Sequence, residues 1–187
     1  MPAELGESLK RDQISPRAVC VGVSQRISIN QRYTAQPDLN TTLEEPMTVR
    51  IKRLNDAVHM EAINDDGNRL EMDGIESLGG IQGGFRPMEM LLAAIGGCAA
   101  VDVVMILSKQ RQNPDGLEVV VDGERASIEG AQHTHFKTIH LHFELTGDKL
   151  DENKVKRAIE LSIEKYCSVA KALEHDSQIT TSHSITG

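Results

Sequence analysis

Three side chains in this sequence have the types and spacing for thiol chemistry. Cys98 and Asp102 lie four residues apart in GGFRPMEMLLAAIGGCAAVDVVMILSKQRQ, residues 83–112, and Cys167 lies in EKYCSVAKAL. On a helix, positions four apart share a face, so a carboxylate would stand beside the first sulfur. A thiolate attacks electrophiles, whereas a buried thiol behaves as a small inert hydrophobe. A carboxylate next to a thiol raises its pKa unless an Arg or Lys pairs with both. Asp102 in that position can equally bond a partner across a subunit interface. Neither cysteine belongs to a CxxC arrangement, so zinc and thioredoxin-type chemistry are not indicated, and spacing leaves open whether the two sulfurs meet.

The remaining reactive residues carry less. His133, His135, His140 and His142 invite a metal reading, but His140 and His142 fall on the polar face of a predicted strand, and no metal is expected. Cys20 reads as a free structural thiol and Tyr166 as packing. The glycines between 79 and 84 lack a GxGxxG or Walker pattern and read as a loop that turns beside the site.

The elements that position these residues follow from pattern. TVRIKRL and AVHMEAIN read as strands, and the Asp-Gly in DDGN joins the second to a third, RLEMDG, as a hairpin. Pro87 suits the first turn of a helix running to about Gln112, roughly 39 Å long at 1.5 Å per residue. Its middle is apolar all round, which predicts burial on most sides and a homodimer packed around it. Gly96-Gly97 would let another backbone come close or bend the helix. NPDG ends it. LEVVVDGERAS and HFKTIHLHFELTG read as strands, the latter with Ile139, Leu141, Phe143 and Leu145 on one face. A second helix, DENKVKRAIELSIEKYCSVAKALEH, opens on Asp151 as N-cap, and QITTSHSIT closes the chain as a strand. The order predicts an α+β fold, an antiparallel sheet packed on two helices that include a long buried central helix.

Composition narrows the function. The chain has 187 residues, 39% hydrophobic and 26% charged, as a globular domain does, and only 3% aromatic, so its core rests on Leu, Ile, Val, Ala and Met. Acidic residues outnumber basic ones, 28 to 20, for a net charge of −8, and no basic cluster offers a nucleic-acid or anionic-membrane surface. The helix from Met88 is long enough to raise the transmembrane question, but Glu89 and Asp102 within it favour a buried soluble helix. The first 25 residues show no secretory pattern, and three cysteines make no disulfide framework, so a cytoplasmic setting is expected. Residues 1–45, rich in Ser, Gln, Asn, Thr and Pro, read as an N-terminal extension that adds an edge strand or wraps the domain of residues 46–187.

The long helix followed about seventy residues later by KYCSVAKAL resembles the OsmC/Ohr family of osmotically inducible and organic-hydroperoxide-resistance proteins. The resemblance rests on the Pro-x-Glu-x-Leu-Leu run, the Gly-Gly-Cys eleven residues past the proline, and the Tyr-Cys of the second helix. It covers roughly residues 47–187 and is greatest to a little-characterised bacterial OsmC-like branch. It implies an OsmC-like fold as an intertwined homodimer with two interface sites. It implies a thiol-dependent peroxidase in oxidative-stress defence, with Cys98 peroxidatic, Cys167 resolving, no cofactor, and an external dithiol, of lipoyl type in many members, as reductant. An apolar pocket would favour organic over hydrogen peroxide.

In the peroxidase branches an arginine, held by a glutamate directly after the helix-initial proline, activates the thiol. Here Met88 follows Pro87 and Glu89 comes one later, about 100° around the helix. Glu89, Asp102, Arg50, Arg53 and Arg86 are the candidate supporting residues. Two other readings stand beside the peroxidase: a non-catalytic dimer that holds an apolar small molecule, and a different thiol reaction on an unrecognised electrophile.

Overall fold

The computed structural model describes residues 46–127, 130 and 133–187. The extension read from residues 1–45, with its added strand and Cys20, lies outside the described residues. β1 (Val49–Arg53), β2 (Met60–Asn64) and β3 (Arg69–Met72) form an antiparallel sheet in that order. The predicted hairpin turn forms: Gly67 takes φ 81° and donates its N–H to the Asn64 carbonyl at 3.1 Å. Only glycine enters that left-handed region without a Cβ penalty.

A loop then runs back beside β3, where the Phe85 N–H donates to the Glu71 carbonyl and the Asp73 N–H donates to the Phe85 carbonyl. It delivers the chain to α1 (Pro87–Lys109). Arg86 is extended, Pro87 takes the first helical position, and the Glu89 carboxylate accepts the Arg86 N–H at 2.9 Å. At the other end Arg111 adopts φ 58°. Its N–H bonds the Ser108 carbonyl and that of Gln112 bonds Leu107, which closes the last turn as a Schellman motif without glycine.

β4 (Gly116–Ser127), β5 (Thr134–Thr146) and β6 (Gln178–Thr186) make a second sheet. β4 and β5 are antiparallel, but β6 lies parallel to β5, with Ile139 opposite Ile179 and Leu145 opposite Ile185. A parallel neighbour needs a crossover, and the helices between β5 and β6 supply it. The core lies between this sheet and the helices. α1 contributes the stripe Ile95, Ala99, Val103 and Leu107, one residue per turn, and β5 contributes Ile139, Leu141, Phe143 and Leu145, all buried. α2 (Glu152–Leu161), N-capped by the Asp151 carboxylate, adds Val155, Ala158 and Ile159.

The predicted second helix is not continuous. After α2 the chain widens into a π-helical turn, Ser162–Tyr166, becomes extended at Cys167, and restarts as α3 (Ser168–Leu173).

α1 is buried along its one stripe. Leu91, Val101, Val104 and Met105 on its other faces are exposed, as are Val49 and Ile51 of β1 at 59% and 57%. By length and composition α1 is also apolar enough to cross a membrane.

Candidate active site

Cys98 sits midway along α1, next to the buried stripe, and packs against the core while remaining partly exposed. Asp102 follows one turn later. Cys167, far away in sequence, arrives at the break between the π turn and α3 and is wholly buried. The two sulfurs and a carboxylate oxygen of Asp102 all lie within 4.8 Å of one another.

The break in the helix aims Cys167. The Cys167 N–H reaches back five residues to the Ser162 carbonyl at 2.8 Å, the hydrogen bond of a widened turn. At φ −69° and ψ 100° Cys167 is the N-cap of α3, and its sulfur accepts the Ala170 N–H at 3.3 Å in the place a serine or aspartate oxygen usually fills. Burial and the adjacent Cys98 thiol together push the Cys167 pKa up to about 11, against the opposing pull of the Ala170 N–H. Its ground state at neutral pH is the thiol.

Ser162 joins the two halves of the site. Its buried hydroxyl lies 3.2 Å from Asp102 Oδ2 and 3.4 Å from the Ala99 carbonyl oxygen, and donates to either. Sequence pattern gave Ser162 no role. The available signal was a serine where the buried face of the second helix continues past Val155, Ala158 and Ile159. Beside the cluster, Asp102, Met105, Ile106, Leu161 and Tyr166 wall a cavity of about 300 Å³.

The other sequence candidates are dispersed. Arg50 pairs with Asp65 at 3.1 Å in the first sheet. Arg53 is exposed at the end of β1, opposite Met60. Arg86 stands twelve residues before Cys98, about 18 Å along the axis of α1, and Glu89 nine residues before it, about 14 Å. Glu89 caps the helix through the Arg86 N–H rather than reaching a sulfur. Of the five supporting candidates, the structure brings Asp102 to the cysteines, separates Glu89 and Arg86 from them, and gives Arg50 another partner. No Lys, Arg or His nitrogen forms an ion pair with Asp102 among the described residues.

The glycine loop closes against β3 and the start of α1. Buried Asp73 accepts N–H bonds from Gly74, Ile81 and Gly83 at 2.7, 2.8 and 3.0 Å. The Gly83 N–H, with those of Ile81 and Gly74 and the charge of His59, holds the Asp73 carboxyl below its ordinary pKa against desolvation. A Cβ on Gly80 would overlap the Gly74 carbonyl oxygen, so backbone packs directly on backbone there. His140 and His142, on the polar face of β5, hydrogen-bond Thr180, Ser182 and Ser184 of β6.

The family model for OsmC-like protein matches residues 79–182, a stretch that holds Cys98, Asp102, Ser162 and Cys167. The chain belongs to the OsmC family. Protein YhfA of Escherichia coli K12 is 48% identical to this OsmC chain over 99 residues, 53% of this chain and 72% of that protein. An OsmC like protein from Mycoplasma pneumoniae superposes with a TM-score of 0.65 at 17% identity, covering 78% of this chain and 100% of that one. The organic hydroperoxide resistance protein OhrB of Bacillus subtilis superposes with a TM-score of 0.56 at 15% identity, covering 75% and 98%. At such identities these two structures speak for the OsmC fold alone, and that α+β fold is the one described above.

Proposed function

We propose that this OsmC protein reduces organic, lipid-like hydroperoxides with Cys98 and Cys167 as a redox pair, in a cytoplasmic homodimer that defends against oxidative stress. The observation that carries the reading is the convergence of two free thiols from distant elements, within 4.8 Å of each other and of one carboxylate. Cys98, the more accessible sulfur, meets the peroxide. Asp102 takes the Cys98 S–H proton, so the attacking species is a thiolate. The sulfur attacks the distal peroxide oxygen, the O–O bond breaks, and the alkoxide leaves as the alcohol with the proton from Asp102. Cys98 is then a sulfenic acid. The Cys167 sulfur displaces its oxygen, an S–S bond forms, and water departs with the Cys167 proton. Per turnover, one hydroperoxide and two thiols give one alcohol, one water and one disulfide. An external dithiol, of lipoyl type, returns both thiols by exchange.

The apolar walls of the 300 Å³ cavity, Met105, Ile106 and Leu161, suit an alkyl substituent. The exposed Leu91, Val101 and Val104 of α1, with Val49 and Ile51 of β1, support a second copy that covers these faces. The test is consumption of cumene hydroperoxide with dithiol as reductant. Cys98→Ser is expected to abolish it, and Cys167→Ser to allow one turnover before stalling at the sulfenic acid. Unchanged consumption by Cys98→Ser overturns the proposal.

A further inference from the structure

The same three residues are a ligand set. Sequence spacing gave no zinc pattern because no two cysteines lie in a short motif, but folding assembles the donors from two elements: Cys98 and Asp102 from α1, Cys167 from the break before α3. A redox pair needs two sulfurs; here a carboxylate oxygen also lies within 4.8 Å of both sulfurs.

We propose that the reduced protein binds one divalent cation of the zinc class through the sulfurs of Cys98 and Cys167 and a carboxylate oxygen of Asp102, and that this state and the Cys98–Cys167 disulfide exclude each other. In a tetrahedral site with Zn–S of about 2.3 Å and Zn–O of about 2.1 Å, the donors stand about 3.8 Å (S to S) and about 3.6 Å (S to O) apart. The observed donors lie within 4.8 Å, so a closure of at most about 1 Å completes three corners. Water from the cavity on which Asp102 opens takes the fourth, the open position that catalytic-type zinc sites keep.

The protons balance and the filled site carries one net negative charge. The two S–H protons pass to solvent, and two thiolates with one carboxylate meet a double positive charge. An outer shell is already built. Ser162 Oγ, 3.2 Å from Asp102 Oδ2, orients the carboxylate, and the Ala170 N–H holds the Cys167 sulfur at 3.3 Å. The histidines that would compete on β5, His140 and His142, are engaged by hydroxyls of β6. With its sulfurs joined to each other the site has lost two of its three donors, so the cation shields the dithiol from two-electron oxidants such as small disulfides, and exchange with such a disulfide, which leaves as two thiols, joins the sulfurs and releases the cation. The proposal does not depend on peroxide chemistry.

The experiment uses the full chain carrying Cys20→Ser, which leaves Cys98 and Cys167 as its only thiols. The reduced protein is titrated with Zn²⁺ by calorimetry and with Cd²⁺ by the ultraviolet thiolate-to-metal absorption band, and thiol alkylation is followed by mass spectrometry. The expected result is one ion per chain, a charge-transfer band, and both cysteines shielded from alkylation. Cys98→Ser abolishes the band and Asp102→Asn weakens binding by at least about tenfold. Converting the dithiol to its disulfide with a small disulfide as oxidant abolishes uptake and reductant restores it, a control that needs no substitution at the buried Cys167. Uptake unchanged in Cys98→Ser, equal affinity in Asp102→Asn, or alkylation indifferent to the ion would each overturn the proposal. Peroxide consumption, assayed separately on metal-free protein, reports on the peroxidase reading alone.

Discussion

The buried resolving thiol makes disulfide closure steeply dependent on pH. With its pKa pushed up to about 11 by burial and by the Cys98 thiol, Cys167 is ionised in only about one molecule in ten thousand at about pH 7. An ordinary thiol with a pKa of about 8.5 would be ionised in about three per hundred, roughly 300 times more. Exchange proceeds through the thiolate, so closure onto the Cys98 sulfenic acid, with Cys167 still held above its ordinary pKa by burial, should quicken steadily from about pH 7 and still be rising at about pH 9. Burial is the larger cause of the shift and persists after Cys98 is oxidised. The assay is a single turnover: one equivalent of cumene hydroperoxide, acid quench at intervals, and mass spectrometry of the sulfenic acid trapped with a dimedone probe against the disulfide. A closure rate independent of pH, or one that levels off near about pH 8.5, would refute the account of how Cys167 is held.

Four further substitutions test the surroundings. Ser162→Ala removes the hydroxyl between Ala99 and Asp102 and should cost about 1–2 kcal/mol in urea unfolding; a variant as stable as wild type contradicts the bridging role. Gly96 and Gly97 should behave oppositely: a Cβ on Gly96 meets Val121 Cγ2 at 2.8 Å, whereas Gly97 faces open space in the single chain. Gly96→Val should therefore destabilise the fold by about 1–3 kcal/mol, while Gly97→Leu should leave secondary structure intact and weaken the proposed dimer in analytical ultracentrifugation. Asp73 titrates below its ordinary value, so the stability it adds is present above about pH 4 and is lost as pH falls through the lower folded value. Asp73→Asn should flatten that acid limb in unfolding midpoints measured from about pH 6 down to about pH 2.5; an unchanged limb would show that the carboxylate does not clamp the loop.

What was legible in the sequence follows the range of the interactions involved. Pro87 and the apolar run marked α1, Asp66-Gly67 marked the hairpin, and alternation marked the buried face of β5, because each is a local pattern with one physical cause. The four-residue spacing of Cys98 and Asp102 likewise survived folding, since both ride one helix. Alternation does not encode strand direction, so the parallel pairing of β6 with β5 could not be read from QITTSHSIT. The break at Cys167 carries no glycine or proline; it is held by the Ser162 carbonyl behind and the Ala170 N–H ahead, contacts that exist only once the turn has formed. The meeting of Cys98 with Cys167 depends on packing α2 and α3 against α1 across about seventy residues of chain, and no spacing rule reaches that far.

The central claim is that Cys98 and Cys167 act as one redox unit. The most direct measurement is peptide mapping by mass spectrometry of the reduced full chain carrying Cys20→Ser, before and after one equivalent of cumene hydroperoxide. The account predicts that the treated protein loses two hydrogens and yields a single Cys98–Cys167 cross-linked peptide, within one chain and reversible by dithiol. Two unmodified thiols, or Cys98 carried to sulfinic acid beside a free Cys167, would contradict it.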